Sequence, residues 1–409
     1  MTQESTISGR IDSLDAKQEL ILKQVWTYLL QFWGIDIDGT KIFNDPLVTS
    51  ADKKKKKSLL GKLSGSSSTA DSENTTAGTY TRGKIHDSLR SQDPKIIQDT
   101  FWKTLRTDSP DNLLLRFIRA RKWDSDKAMN MLVSSLNWRA TKYDANDIVM
   151  KGEADMYKNN EAGCIKNLEL QKAVLNGFDK KGRPIVLVRP KLHHADDQTE
   201  EEIEKYSLLV IEQARLFLNE PTEAASILFD LTDFTMSNMD YQPVKFLITC
   251  FEAHYPESLG HLFIHKAPWI FSPIWNIIKK LLDPVVASKV VFTNKTKDLN
   301  KYIEMNNIPE HLGGTDTKDL DQFTPVDGSH DELLEDTATR DALLEQRKEL
   351  IETILKTTAD WIHSSDANES RALLNEKIKL NSQLSELYRK LDPYIRSRSS
   401  YDIDGTLTI

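Results

Sequence analysis

The sequence predicts an α/β domain with a mixed or parallel sheet, preceded by an all-helical lobe, and two observations predict it. Five short runs rich in β-branched residues, Ala173 to Leu175, Ile185 to Val188, Ile227 to Asp230, Leu262 to His265 and Lys289 to Thr293, are separated by helical segments. That is the pattern of strands buried between covering helices. Ahead of them, from Ile96 to about Tyr143, apolar residues recur at helical spacing. With 409 residues and 39% hydrophobic content, the chain can bury a sizeable core.

Each element has its own signal. Residues 17 to 33 form an amphipathic helix with Leu20, Ile21, Val25, Leu29, Phe32 and Trp33 close to one side. After Pro46 come five consecutive lysines, Lys53 to Lys57, and a Ser/Thr/Gly-rich stretch to about Tyr80, the composition of a disordered linker. Near an anionic leaflet each lysine would add about 1 kcal/mol of attraction; otherwise the run is a solvated linker. Asp108-Ser109-Pro110 supplies cap and first-turn chemistry, and a second helix runs from Ser125 through Trp138. Between them, Leu113 to Asp124 puts leucines and Phe117 on one face and crowds Arg116, Arg119, Arg121 and Lys122 at the helix end. A C-terminal helix end disfavours anions, so these cations would have to overcome the dipole themselves, or else they form an ordinary solvated face. Residues 178 to 184 read as a turn between the first two strands, and helices over Glu201 to Leu218 and Pro243 to His254 supply crossovers. Beyond the acidic loop from Asp316 to Asp331, helices over 331 to 362 and 367 to 391 make a charged hairpin. The expected organisation is therefore an N-terminal helix and turn (1–45), a linker (46–82), a helical lobe (83–150), the sheet domain (151–325), the hairpin (326–395) and a tail (396–409).

Composition excludes several functions. A net charge of −8 argues against general nucleic-acid binding. Two cysteines, Cys164 and Cys250, make neither a disulfide framework nor a zinc site and fit a reducing interior. No signal peptide is read at the start, and apolar runs stay short of the ~20 residues that span a bilayer, so membrane contact would be peripheral. Asp402-Ile403-Asp404-Gly405-Thr406-Leu407-Thr408 spells the nucleophile motif of haloacid-dehalogenase phosphatases, but it follows a polar Arg/Ser stretch instead of an apolar strand. Asp36-Ile37-Asp38-Gly39-Thr40 repeats the letters as a turn. His193, His194, His254, His261 and His265 lack metal spacing and are expected at the surface or as caps, so neither a catalytic residue nor a metal site is expected.

Seven motifs occur in one order: Arg116 to Trp123, Asp179 to Pro184, Leu228-Phe229-Asp230-Leu231, Tyr255-Pro256-Glu257, Ala267-Pro268-Trp269, Leu282-Asp283-Pro284-Val285 and Leu312-Gly313-Gly314. Over about residues 90 to 320 the chain resembles the CRAL-TRIO lipid-transfer proteins, in particular their secretory, phosphatidylinositol-transferring branch; the N-terminal helix and lysine-rich linker resemble a fungal subgroup of it. The resemblance implies a lipid cavity with a sheet floor and a helical roof, and a non-enzymatic carrier of phosphatidylinositol with no other cofactor. Residues read independently agree. Two acyl chains have about 30 methylenes, and exposing them would cost on the order of 25 kcal/mol, so a carrier must enclose them. Within 269 to 282, Ile270, Ile274, Ile277, Ile278 and Leu281 repeat at helical spacing, with Trp269, Phe271 and Trp275 free to enter the interfacial zone on opening; the plain alternative is a core helix.

By the same resemblance, Arg121, Lys122, Glu257 and Lys289 hold the positions that recognise the phosphoinositol headgroup, with a structural ion-pair cluster as the alternative. Val286 stands where a headgroup-bonding threonine is common. Leu175, Val186, Ala225 and Ile227 replace the hydroxyl residues that hold choline, which implies weak or no phosphatidylcholine exchange and room for a second apolar lipid such as a sterol or isoprenoid. The expected partners are membrane surfaces, met transiently, and a lipid kinase or other protein held by the C-terminal hairpin, the latter suiting an alternative scaffold role. The expected location is cytoplasmic, peripheral to endoplasmic reticulum, endosome or lipid droplet.

Overall fold

The computed structural model describes residues 8–49, 80–364 and 366–409. Lys53 to Lys57 lie outside the described residues. The chain divides into two compact units, Met1–Asn137 with Gln346–Ser385, and Trp138–Glu345 with Glu386–Ile409.

The first unit is helical. Helix α1 (Ala16–Phe32) begins at an Asp15/Gln18 capping box, and α2 (Pro94–Leu105) and α3 (Pro110–Ala120) start with proline after the caps Asp93 and Ser109. Helix α4 (Ser125–Thr141) completes the N-terminal part. Leu22, Trp26, Phe101, Leu114 and Ile118 share one core with Ile354, Trp361, Leu374 and Leu384 of the C-terminal helices Thr337–His363 and Ala367–Leu391. At its centre the Asp111 carboxylate accepts from Trp26 Nε1 (2.7 Å), Lys377 Nζ (2.8 Å) and Asn381 Nδ2 (2.9 Å). Lys377 Nζ lies 4.3 Å from the Trp361 ring centroid and is fully buried. A buried charge pair of this kind costs about 3–5 kcal/mol to break from one side, so the charged hairpin is part of this core.

The second unit holds a five-stranded sheet in the order β1-β2-β3-β4-β5, preceded by α5 (Ala145–Lys158) and α6 (Ala162–Glu169). Strands β1 (Ala173–Phe178) and β2 (Pro184–Val188) form an antiparallel hairpin. In its turn Asp179 Oδ1 accepts from the amides of Lys181 and Arg183 while Gly182 takes φ +72°, a conformation glycine reaches without a steric penalty. The remaining neighbours are parallel. Helix α7 (Glu200–Leu216) leads to β3 (Ala225–Asp230), α8 (Tyr241–Thr249) to β4 (Leu259–His265), and α9 (Phe271–Leu281) to β5 (Val290–Thr293). All five expected strands are present.

Edge strand β1 has outward amides to satisfy. Tyr206 Oη accepts from Ala173 and Tyr401 Oη from Leu175, both at 2.9 Å. Residues 396–409, expected as a tail, therefore contribute Tyr401 and Leu407 to the core of this unit. Among the described residues no helix is long and apolar enough to cross a membrane.

Candidate functional site

Alternation along the strands gives the sheet two faces. In one cross-strand row Val186, Ile227 and Leu262 are aligned, and in the next Ala173, Val188, Phe229 and Ile264. Both rows line a cavity of about 270 Å³, just below the ~300–1,000 Å³ usual for ligand sites. Its other walls are Tyr206, Val210 and Ala214 of α7, Val244, Leu247 and Ile248 of α8, and Phe271, Trp275 and Ile278 of α9. Most of the lining surface is apolar, a setting for hydrocarbon.

Of the wall positions named from sequence, Val186, Ala225 and Ile227 line the cavity. Leu175 does not: it shares the row of Val186 but is only 2% exposed and packs in the core. Helix α9 divides the expected gate residues into three sets. Phe271, Trp275 and Ile278 face the cavity; Ile274 packs with Leu231 and Phe234, and Ile270 lies against that cluster; Trp269, Ile277 and Leu281 face outward, Trp269 at 86% exposure. Trp275 lies edge-on to Phe292 at 5.1 Å. The helix is thus apolar towards the cavity and mixed away from it, where Ile277 and Leu281 stand exposed beside Ser272, Asn276, Lys279 and Lys280, and where Trp269, Val285 and Phe292 add exposed apolar surface.

The headgroup positions fall two in each unit. In the second, Lys289 Nζ donates to the carbonyl of Leu259, a lining residue, at 2.7 Å. Burial lowers the Lys289 pKa, and the charge of Glu257 works against that shift. Glu257 itself takes φ +62° after Tyr255-Pro256. Neither residue lines the cavity, whereas Val286, at the departure from the usual threonine, does. In the first unit Arg121 Nη1 donates to the Ala120 carbonyl at 3.3 Å, and Lys122 is exposed at φ +54°. Arg116 is paired with Asp108 and Arg119 donates to the Gly9 carbonyl, so half of that cation cluster serves the fold.

Tyr255, also in the wall, belongs to a buried network. Its hydroxyl donates to Glu212 (2.6 Å) and accepts from Arg139 (3.1 Å), and Arg139 pairs with Glu212 at 2.9 Å. Of the five histidines expected at the surface or as caps, His194 is exposed and His261 half-buried, whereas His193, His254 and His265 are buried. His254 stacks on Trp138 with centroids 3.9 Å apart, and burial beside Arg139 and Lys142 brings its pKa down to about 4. His193 lines the cavity with Lys172 and Asp240, a polar group that no spacing in the sequence announces. Asp402 of the phosphatase-like motif has its carboxylate taken by Arg396 (2.8 Å to each oxygen), Arg398 and Ser399. The Cys164 and Cys250 thiols are buried, which raises both pKa values. Among the described residues no three metal-binding side chains cluster.

Known proteins give the fold its place. Residues 168–314 match the CRAL/TRIO domain and residues 83–134 the CRAL/TRIO N-terminal domain. A protein of Eremothecium gossypii named phosphatidylinositol transfer protein CSR1 is 50% identical over 437 aligned positions, covering 100% of both chains. A CRAL-TRIO domain-containing protein of Schizosaccharomyces pombe is 35% identical over 98% of this chain and 92% of its own. The crystal structure of Sfh5 aligns with a TM-score of 0.42 and 17% identity, over 56% of this chain and 77% of that one. Two domain matches in order, together with full-length identity to a named relative, place the chain in the CRAL-TRIO family.

Proposed function

We propose that this chain is a non-enzymatic lipid carrier that takes phosphatidylinositol into the cavity and exchanges it at membrane surfaces when α9 swings aside. One observation carries the reading: an apolar chamber roofed by a helix that also leaves large apolar side chains, Ile277 and Leu281 with the adjoining Trp269, exposed beside Lys279 and Lys280 on its outer side. Hydrocarbon gains about 0.8 kcal/mol per buried methylene inside such a chamber, and the outer residues Trp269, Ile277 and Leu281 would gain on meeting acyl chains. The name of the Eremothecium gossypii relative supports phosphatidylinositol as the cargo.

Headgroup recognition is assigned to Arg121, Lys122, Glu257 and Lys289, with arginine forking onto phosphate oxygens, lysine adding point charge and the carboxylate accepting inositol hydroxyls. Val186, Ala225 and Ile227 offer no hydroxyl to a choline headgroup, so phosphatidylcholine binds weakly. The carrier works in the cytoplasm, touching intracellular membranes transiently.

Vesicle-to-vesicle transfer tests the proposal. Wild-type protein is expected to move phosphatidylinositol at least ~10-fold faster than phosphatidylcholine, and a double Arg121→Ala, Lys289→Ala variant to lose phosphatidylinositol transfer while keeping its circular dichroism and melting temperature. Equal transfer of both lipids removes the selectivity; unchanged transfer by the variant removes the headgroup assignment.

A further inference from the structure

One end of the cavity breaks its apolar lining. Lys172, immediately before β1, and His193, after β2, are 5% and 8% exposed, and both line the cavity with Asn238 and Asp240. Their hydrogen bonds run in one direction. Lys172 Nζ donates to Gln198 Oε1 at 3.2 Å and to His193 Nδ1 at 3.2 Å. An ammonium has no lone pair, so Nδ1 must accept and the ring proton sits on Nε2, which donates to Asp240 Oδ2 at 3.3 Å. Asp240 Oδ1 accepts from the Gln242 amide at the start of α8, which fixes the far end of the chain. Asn238 is fully engaged: its amide donates to the carbonyls of Lys191 and His193, and its oxygen accepts from Thr235.

This leaves an imbalance. The Lys172 ammonium has three protons and, among the described residues, two hydrogen-bond partners. The third ammonium proton has no acceptor among the described residues, and beside a hydrocarbon-lined space that is less favourable than a third hydrogen bond. We propose that this end of the chamber is a binding subsite for the oxygen of an otherwise apolar lipid, with the Lys172 ammonium donating to a hydroxyl or carboxylate at the lipid's end while its hydrocarbon body fills the cavity. The proposal rests on reading the cavity as a lipid chamber and adds the chemistry of the cargo's inner end. It is separate from the phosphoinositol positions, none of which lines the cavity.

The two oxygen sources differ in charge. Lys172 is faced by His193, Gln198 and Asp240, with Asp197 and Lys166 acting on it through space. Asp240 already lies one imidazole away, so a neutral hydroxyl adds no net charge, whereas a carboxylate adds one and requires Lys172 to stay protonated. Burial, the largest influence, brings Lys172 down to about 8. A carboxylate would therefore bind more weakly as pH rises past that value, and a hydroxyl would show little change.

The experiment compares tetradecane, 1-tetradecanol and myristate on the full chain, with occupancy read by native mass spectrometry at pH 7 and pH 9.5. Wild-type protein is expected to prefer an oxygen-bearing probe over tetradecane by at least ~10-fold, the worth of one buried hydrogen bond to a charged donor. A pH-independent preference for tetradecanol marks the hydroxyl source; a preference for myristate lost at pH 9.5 marks the carboxylate source. Lys172→Met should abolish the preference and leave tetradecane binding unchanged. Lys172→Gln, which keeps an N–H and removes the buried charge, should retain the preference for tetradecanol and lose any for myristate. Equal binding of tetradecane and tetradecanol by wild-type protein, or an undiminished preference in Lys172→Met, overturns the subsite. If tetradecane fails to bind at all, the lipid chamber itself falls, a different outcome from loss of the polar end alone.

Discussion

On one face of the sheet Val174, Leu187, Leu228 and Phe263 meet Leu299, Ile303, Ile308 and Leu312 and close into a solid core; on the other, one residue along each strand, Val186, Ile227 and Leu262 look into a cavity. Composition does not separate the two faces, since both are apolar. Their covers do. The closed face is covered by short, irregular segments after β5, which follow the side chains beneath them. The open face is spanned by α7, α8 and α9, rods that line the cavity and leave its middle unfilled. A side chain facing empty space forfeits the dispersion contacts it would otherwise make, so the open face is held at a cost in stability that a ligand would offset.

The largest expected effect breaks the solid face. Phe263 is fully buried there, and Phe263→Ala should cost about 3–5 kcal/mol in urea unfolding. Ile227→Ala, on the cavity wall, should cost about 2 kcal/mol or less, because that side chain already lacks partners on one side. Equal losses would mean that the two faces are packed alike.

A smaller effect uses Lys172, a cation of the open wall whose charge has, among the described residues, no direct carboxylate partner. With its pKa brought down to about 8 from an ordinary 10.5, Lys172 is charged in both folded and unfolded chains below pH 8, and the cost of burying that charge is then fully present. Between pH 8 and 10.5 the unfolded chain binds more protons than the folded one, so folded-state stability rises with pH. Relative to Lys172→Met, wild-type protein should gain about 2 kcal/mol between pH 7.5 and pH 10, read as converging unfolding midpoints. Midpoints that run parallel would place Lys172 in water.

Much of this arrangement was legible before any coordinates. The five strand runs were visible because β-branched residues buried on both sides leave no polar interruptions, and Asp179-Lys180-Lys181-Gly182-Arg183-Pro184 announced its turn through one glycine and one proline. The roof helix, expected over 269 to 282, runs over Phe271–Leu281, but periodicity alone could not say that Ile274 faces a local core while Ile278 faces the cavity. The helix expected from Pro243 to His254 is α-helical only to Thr249 and continues as a π turn over Cys250–His254, a change of pitch that leaves no mark in the residue pattern. Lys172, His193 and Asp240 could not be grouped from sequence. They come from three separate loops, and only the closing of the sheet brings them to one end of the cavity.

The smallest effect on stability should fall on the residue with the largest apolar exposure. Trp269 makes little contact with the protein, so Trp269→Ala should change unfolding free energy by no more than about 0.5 kcal/mol. The same substitution removes an indole from the outer side of the roof, where Ile277, Leu281, Val285 and Phe292 are also exposed. An indole suits the headgroup level of a bilayer, so binding to phosphatidylinositol-containing vesicles should fall several-fold in a co-sedimentation assay. Phe263→Ala, measured where the variant is still folded, should leave vesicle binding unchanged. The two substitutions thus separate a residue that holds the fold from one that meets the membrane. If Trp269→Ala bound vesicles as well as wild-type protein, the exposed apolar surface of α9 would not be the docking face, and the roof would have to open towards some other surface.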